Sequence, residues 1–245
     1  MRRETQNVLL VLLGGALLKL ALTGTYLRYV KASLQPWLVV TGVVMVVLAA
    51  VAIVRDLRAG GRGHEGDQHG HDQHGHDQHE HAARSTWMLL LPVLAVFLIS
   101  PPALGSDTVN RSDRNAAQES KVASGFAPLP DDEVIPLTIT EFVTRTAWDD
   151  SGSLDDRTVK LTGFVVRKGD DVYVARLAIS CCAADASPVK VLMTGLDFSP
   201  LPDDQWIEAT GRVVPGSATK ETAYVPTFTV SGVTPITPPE DTYES

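Results

Sequence analysis

Three long apolar runs, Val8 to Leu27, Trp37 to Val54 and Trp87 to Leu104, dominate the first 105 residues, after which the pattern changes to short alternating segments. Each run approaches the roughly 17 to 25 residues that a helix needs to cross about 30 Å of hydrocarbon, so the pattern predicts a membrane protein with about three N-terminal transmembrane helices. The second run carries no charge. The first holds Lys19 near its middle, which either snorkels to the interface or pairs with an acidic group on another subunit. The third contains Pro92 and stops at Pro101-Pro102, where missing amide donors and ring sterics end a helix. Ala103-Leu104-Gly105 resembles a cleavage site, but a signal peptide does not follow two better spans.

Beyond Gly105 the pattern is that of a soluble unit. Residues 106–130 are polar, rich in Ser, Ala, Asn and Asp and without an apolar period, which predicts a linker. Thr138-Ile-Thr-Glu141 has the form of a capping box and predicts a short helix through about Trp148. Thr158 to Lys168 alternates, with Val159, Leu161 and Val165 on one face and Phe164 and Val166 on the other, and Lys168-Gly169-Asp170-Asp171 supplies a turn. Further strands are expected over Val172 to Ile179, Val189 to Thr194, Trp206 to Val214 and Tyr224 to Val230. Five short strands fit a small mainly-β domain, an OB-like barrel in preference to an open sandwich. The chain thus divides into residues 1–54 with two transmembrane helices, a histidine-rich flexible loop over 55–86, a third transmembrane helix over 87–105, a linker over 106–130 and the mainly-β domain over 131–245.

Charge orients this plan. Six Lys and Arg flank the amino terminus and the loop after the second run, against four on the other side, which puts the histidine loop in the cytoplasm and the carboxyl-terminal domain outside. Residues 106–245 carry 22 acidic and 12 basic side chains, net −10, so this half does not bind nucleic acid by electrostatics. Membrane lipid is the expected surrounding of the first part.

Two features carry candidate chemistry. All seven histidines, His64, His69, His71, His74, His76, His79 and His81, fall within one tract of 18 residues. Neutral imidazole ligates zinc, copper and nickel, and short histidine-rich tracts read as metal-binding. A five-residue repeat gathers its histidines on no single helix or strand face, so the expectation is a disordered chelator with interchangeable binding modes; the alternative is a low-complexity spacer. The only cysteines are adjacent, Cys181 and Cys182, in the loop Ile179 to Asp185. In an oxidising compartment they bond intramolecularly only to each other, in a strained vicinal disulfide; as free thiolates they are soft metal ligands, with Asp185 as a third donor. A pair of small residues shaping a tight turn is the remaining option. The acidic pairs Asp149-Asp150, Asp155-Asp156, Asp170-Asp171 and Asp203-Asp204 sit in turn-rich surroundings and read as solvated surface. Neither a phosphate-binding Gly-x-x-x-x-Gly-Lys motif nor a Gly-x-Ser-x-Gly nucleophile motif occurs, and no histidine lies in the outer domain to act as a base, so the chain is not expected to be an enzyme.

Thr23-Gly-Thr-Tyr-Leu-Arg-Tyr-Val30 followed by Gln35-Pro36, Pro101-Pro-Ala-Leu-Gly-Ser106, Gly163-Phe-Val165, Arg176, Ile179-Ser-Cys-Cys-Ala-Ala-Asp-Ala186 and Trp206-Ile-Glu-Ala-Thr-Gly211 resemble the YcgQ-like family of bacterial membrane proteins. The resemblance spans most of the chain; the histidine tract is not part of the family pattern. It implies a subunit of a two-component permease, with a YcgR-like multi-span permease as partner, and no established substrate or catalytic residue. The expected function is therefore an accessory permease subunit in zinc or other divalent transition-metal transport or homeostasis, with metal ligands among the seven histidines, Cys181, Cys182 and Asp185. A thiol-redox protein or sensor built on the cysteine pair, and a structural binding module, are the competing expectations.

Overall fold

In a computed structural model the described residues are 3–60, 90–99, 102–112, 115 and 125–244. The chain divides into two units, Met1–Tyr26 with Ser33–Pro102, and Leu27–Ala32 with Ala103–Ser245.

The first unit contains α1 (Arg3–Leu22), α2 (Gln35–Gly60) and α3 (Leu90–Ile99). The helices α1 and α2 approach closely because Gly14 and Gly42 face each other: a Cβ on Gly14 would meet the Gly42 carbonyl at 3.0 Å, and one on Gly42 the Gly14 carbonyl at 3.1 Å. Small residues permit such contact between apolar helices, where van der Waals packing replaces the hydrophobic drive. Gln35 Nε2 donates to the Ala21 carbonyl at 3.2 Å, closing the connection.

Among the described residues one stretch, Ala32–Arg58, is long and apolar enough to cross a membrane, rather than about three. The expectation is corrected for a physical reason in each case. The apolar part of α1 is Gln6–Leu22, interrupted by Lys19 and preceded by a polar first turn. Of the third run the described helix covers ten residues, about 15 Å at 1.5 Å per residue, half of a hydrocarbon core. Trp87, the remainder of that run before Leu90 and the whole histidine tract from His64 to His81 lie outside the described residues.

The second unit is built on a seven-stranded mixed sheet. Its strands are β1 (Val134–Leu137), β2 (Thr158–Lys168), β3 (Asp171–Ala178), β4 (Ser187–Thr194), β5 (Trp206–Val213), β6 (Thr227–Pro235) and β7 (Tyr243–Glu244). The order is β1-β2-β5-β6-β4-β3-β7, and β2 also pairs with β3, so five strands return upon themselves. Within that ring β4 and β6 run parallel and the other neighbours antiparallel.

Alternation along β2 places its side chains in two cores. Val159, Leu161 and Val165 enter the ring interior with Val174, Val191 and Ile207. Phe164 and Val166 point the other way and are buried by Val109, Leu177 and Tyr243. Val109 belongs to a short helix, α4 (Ser106–Asn110), in the stretch expected to be linker. It is held by Asp204, whose carboxylate accepts from the Ser106 amide at 2.7 Å and hydroxyl at 2.9 Å.

The predicted short helix is α5 (Ile139–Trp148), with the Thr138 hydroxyl accepting from the Glu141 amide at 3.1 Å. Its Ile139, Phe142 and Val143 are fully buried and join the interior of the ring, with Phe142 edge-on to Phe228 at 5.3 Å. Gly163 makes this fit possible, since a Cβ there would stand 2.8 Å from Ile139 Cδ1 and 2.5 Å from the Ala175 carbonyl.

Candidate metal centre

The thiol loop begins where β3 ends. Ile179 is buried in the second core and its amide donates to the Glu244 carbonyl at 2.8 Å, so the chain leaves the sheet from a fixed point. A single turn of 3-10 helix, Ala183–Asp185, then reverses it toward β4. Asp185 folds this turn back on its own start: Oδ1 accepts from the Ser180 amide and Oδ2 from the Cys181 amide, both at 2.9 Å. Local side-chain bonding of this kind is what Asp brings to tight turns.

The consequence is convergence. Cys181 and Asp185 are exposed and Cys182 half-buried, and one donor atom from each lies within 4.8 Å of the others. The two sulfurs are 3.5 Å apart and unbonded. Two sulfurs on one tetrahedral zinc, each at about 2.3 Å, would be about 3.8 Å apart, so little movement separates this geometry from a chelate. The three residues singled out from sequence are thus brought together, while the seven histidines lie outside the described residues.

Electrostatics define the resting state. The Asp185 carboxylate, and after it the Cys182 thiol, push Cys181 up to about 12, so at neutral pH it is a thiol. The same contact works in reverse on Asp185, which the Cys181 thiol and then the Ser180 and Cys181 amides hold below the usual carboxylate range. A protonated thiol is a poor nucleophile. It becomes a ligand when a soft cation displaces its proton, because coordination deprotonates a thiol outright.

What sequence reasoning missed is the backing of the loop. Val30 forms an antiparallel bridge with Cys182, the Lys31 amide donates to the Cys181 carbonyl at 3.1 Å, and the Ala183 amide donates to the Tyr29 carbonyl at 2.7 Å. The connection between α1 and α2 is therefore a strand-like partner of the thiol loop. Tyr243 fixes that connection in turn: its hydroxyl donates to the Arg28 carbonyl at 3.0 Å and accepts from the Leu104 amide at 3.1 Å. No periodicity announces a one-residue bridge across 152 positions. The only available signal was that Thr23 to Val30 and Ile179 to Ala186 were both distinctive segments.

Among the acidic pairs, Asp149, Asp203 and Asp204 have structural partners. Asp149 accepts from Ser151 and Ser153 and forms an ion pair with Arg145 at 3.7 Å, Asp203 accepts from the Arg167 amide at 2.8 Å, and Asp204 from Ser106.

Residues 5–115 match the family model described as the DUF1980 N-terminal domain, and residues 116–244 that of the DUF1980 C-terminal domain. Together these are the YcgQ-like family whose motifs the sequence carries. No curated protein and no solved structure matches the chain.

Proposed function

We propose that this chain, which belongs to the DUF1980 family, is a membrane-anchored accessory subunit of a two-component permease that captures a divalent transition metal, zinc by preference, at Cys181, Cys182 and Asp185. The observation that carries the reading is the convergence of two sulfurs and a carboxylate on one exposed turn. Two thiolates and a carboxylate suit zinc or a softer ion and discriminate against magnesium and calcium, which take oxygen donors. Three protein donors leave a coordination position open, as a hand-over site requires. The permease partner is a YcgR-like multi-span protein that forms the pathway.

The pairing of residues 29–31 with the thiol loop supports a topology. It favours an arrangement with the α1–α2 connection and the mainly-β domain on one membrane face, in which α2 and the third apolar run, parts of which lie outside the described residues, both cross and α1 crosses before them. With the amino terminus in the cytoplasm, the domain is extracytoplasmic and the histidines from His64 to His81 form a cytoplasmic reservoir. The five-stranded ring, with its single parallel neighbour pair, supports the OB-like reading of the domain. The redox alternative is disfavoured by Asp185, which keeps Cys181 protonated rather than activated.

Zinc content of the purified full-length protein tests this. Cys181→Ser/Cys182→Ser is expected to lose one equivalent, and deletion of residues 64–81 to remove only the additional, weakly held metal. Unchanged zinc in the cysteine variant contradicts the proposal.

A further inference from the structure

The five-stranded ring is not closed along its whole length. β2 and β3 pair from Lys168↔Asp171 to Phe164↔Ala175 and then part; beyond that point β2 carries β1 and β3 carries β7 instead. The opening holds a cavity of about 430 Å³, with Thr138, Lys160, Thr162, Arg176, Asp241 and Glu244 in its lining. That volume lies in the range of small-molecule sites.

Arg176 is the group in this cavity with unused hydrogen-bonding capacity and, among the described residues, no carboxylate in ion-pair contact. It is 8% exposed, and its guanidinium carbon stands 4.9 Å from the centroid of the Trp206 ring. Both of its hydrogen bonds leave from Nη2, to the carbonyls of Asp241 at 2.8 Å and Tyr243 at 3.2 Å. Nε is buried without a hydrogen bond, and among the described residues no carboxylate forms an ion pair with the guanidinium. The acidic neighbours Glu244 and Asp241 act on it only at a distance, through their charge, while their oxygens hold backbone amides. Glu244 accepts from the Ile139 and Thr140 amides at 2.8 and 2.7 Å, and Asp241 from the Tyr243 amide at 3.3 Å.

A buried cation without a contacting counter-charge is costly, and a guanidinium fork matches the oxygens of a carboxylate or phosphate. Lys160 adds a second cation, bonded to Glu208 at 3.2 Å, and Thr138 and Thr162 add hydroxyls. We infer that this cavity binds a small oxoanion, a carboxylate or phosphate group anchored on Arg176 with Lys160 beside it. Burial lowers the Arg176 guanidinium from its ordinary value, and the charges of Glu244 and Asp241 offset that only in part. The thiol loop takes no part, so this site stands or falls apart from the metal proposal.

The test is calorimetric titration of the full-length, detergent-solubilised protein with inorganic phosphate and, separately, with malonate. Saturable binding at one site per chain is expected for at least one probe. Binding of phosphate alone assigns a phosphate group, and binding of malonate alone a carboxylate. Arg176→Gln is expected to weaken binding about tenfold or more, and Lys160→Gln about threefold. Absence of saturable binding by either probe up to about 10 mM, well beyond the affinity of a specific site, overturns the inference. So does a folded Arg176→Gln protein that binds as the wild type does. Should Arg176→Gln fail to fold, Lys160→Gln/Thr162→Val decides, and an unchanged affinity in that variant overturns the inference.

Discussion

Asp185 sets the chemistry of the candidate metal centre by doing two jobs. Its carboxylate shapes the turn through the Ser180 and Cys181 amides and holds the Cys181 thiol protonated. Asp185→Asn removes the charge and keeps the size, so the thiol pKa should fall toward its ordinary value. Placed in a Cys182→Ser background, the substitution is expected to speed alkylation of Cys181 by iodoacetamide at pH 8, since rate follows thiolate fraction. An unchanged rate would mean the carboxylate does not control the thiol. Asp149 offers a second residue-scale case. Burial alone would raise its pKa, but bonds from Ser151 and Ser153 and the charge of Arg145 outweigh that and lower it. A carboxylate with a depressed folded value contributes stability that is full above its unfolded pKa and lost as pH falls through the folded one. The wild type is therefore expected to lose melting temperature below about pH 4, and Asp149→Asn to flatten that decline. Asp185 was readable in the sequence as a possible ligand; its role as a turn clamp needed the Ser180 and Cys181 amides in place.

At the scale of elements, local signals were legible and non-local ones were not. The capping box at Thr138 gave α5, and alternation from Thr158 to Lys168 gave β2 with its two faces correctly divided. The strands β1 and β7, four and two residues long, carry no period of their own and exist only as partners of β2 and β3. The last long strand was expected over Tyr224 to Val230 and is found at Thr227–Pro235. Ala223 and Tyr224 adopt left-handed backbone, at φ 51° and 58°, and Tyr224 stacks on Trp148 at 5.1 Å, so the turn persists beyond the point where the apolar residues begin. The strand β7 has an energetic role out of proportion to its length. Glu244 supplies the buried carboxylate on the first amides of α5. Hydrogen bonds to a charged group are worth about 1.5 to 3 kcal/mol, so Glu244→Ala should cost about 2 kcal/mol or more in denaturation of the full-length protein. A loss below about 0.5 kcal/mol would deny β7 that role.

For the whole molecule, one helix long and apolar enough to cross a membrane and a mixed-sheet domain stand among the described residues, and the proposed topology rests on the bridge between Val30 and Cys182. Composition marked three apolar runs but not which of them complete a crossing, because an apolar count does not give the length of the helix that carries it. Maleimide labelling of the cysteines in intact cells after reduction is expected to succeed, placing the domain outside; labelling only after lysis would reverse the orientation. In the proposed function the histidine tract is a metal reservoir and specificity is assigned to the thiol loop, where Asp185 is held by backbone hydrogen bonds. The most direct test of that claim is X-ray absorption at the zinc edge of the protein lacking residues 64–81. The account predicts one bound zinc with two sulfur neighbours at about 2.3 Å and lighter donors completing the shell. A zinc environment of nitrogen and oxygen alone, or no bound zinc, would contradict it.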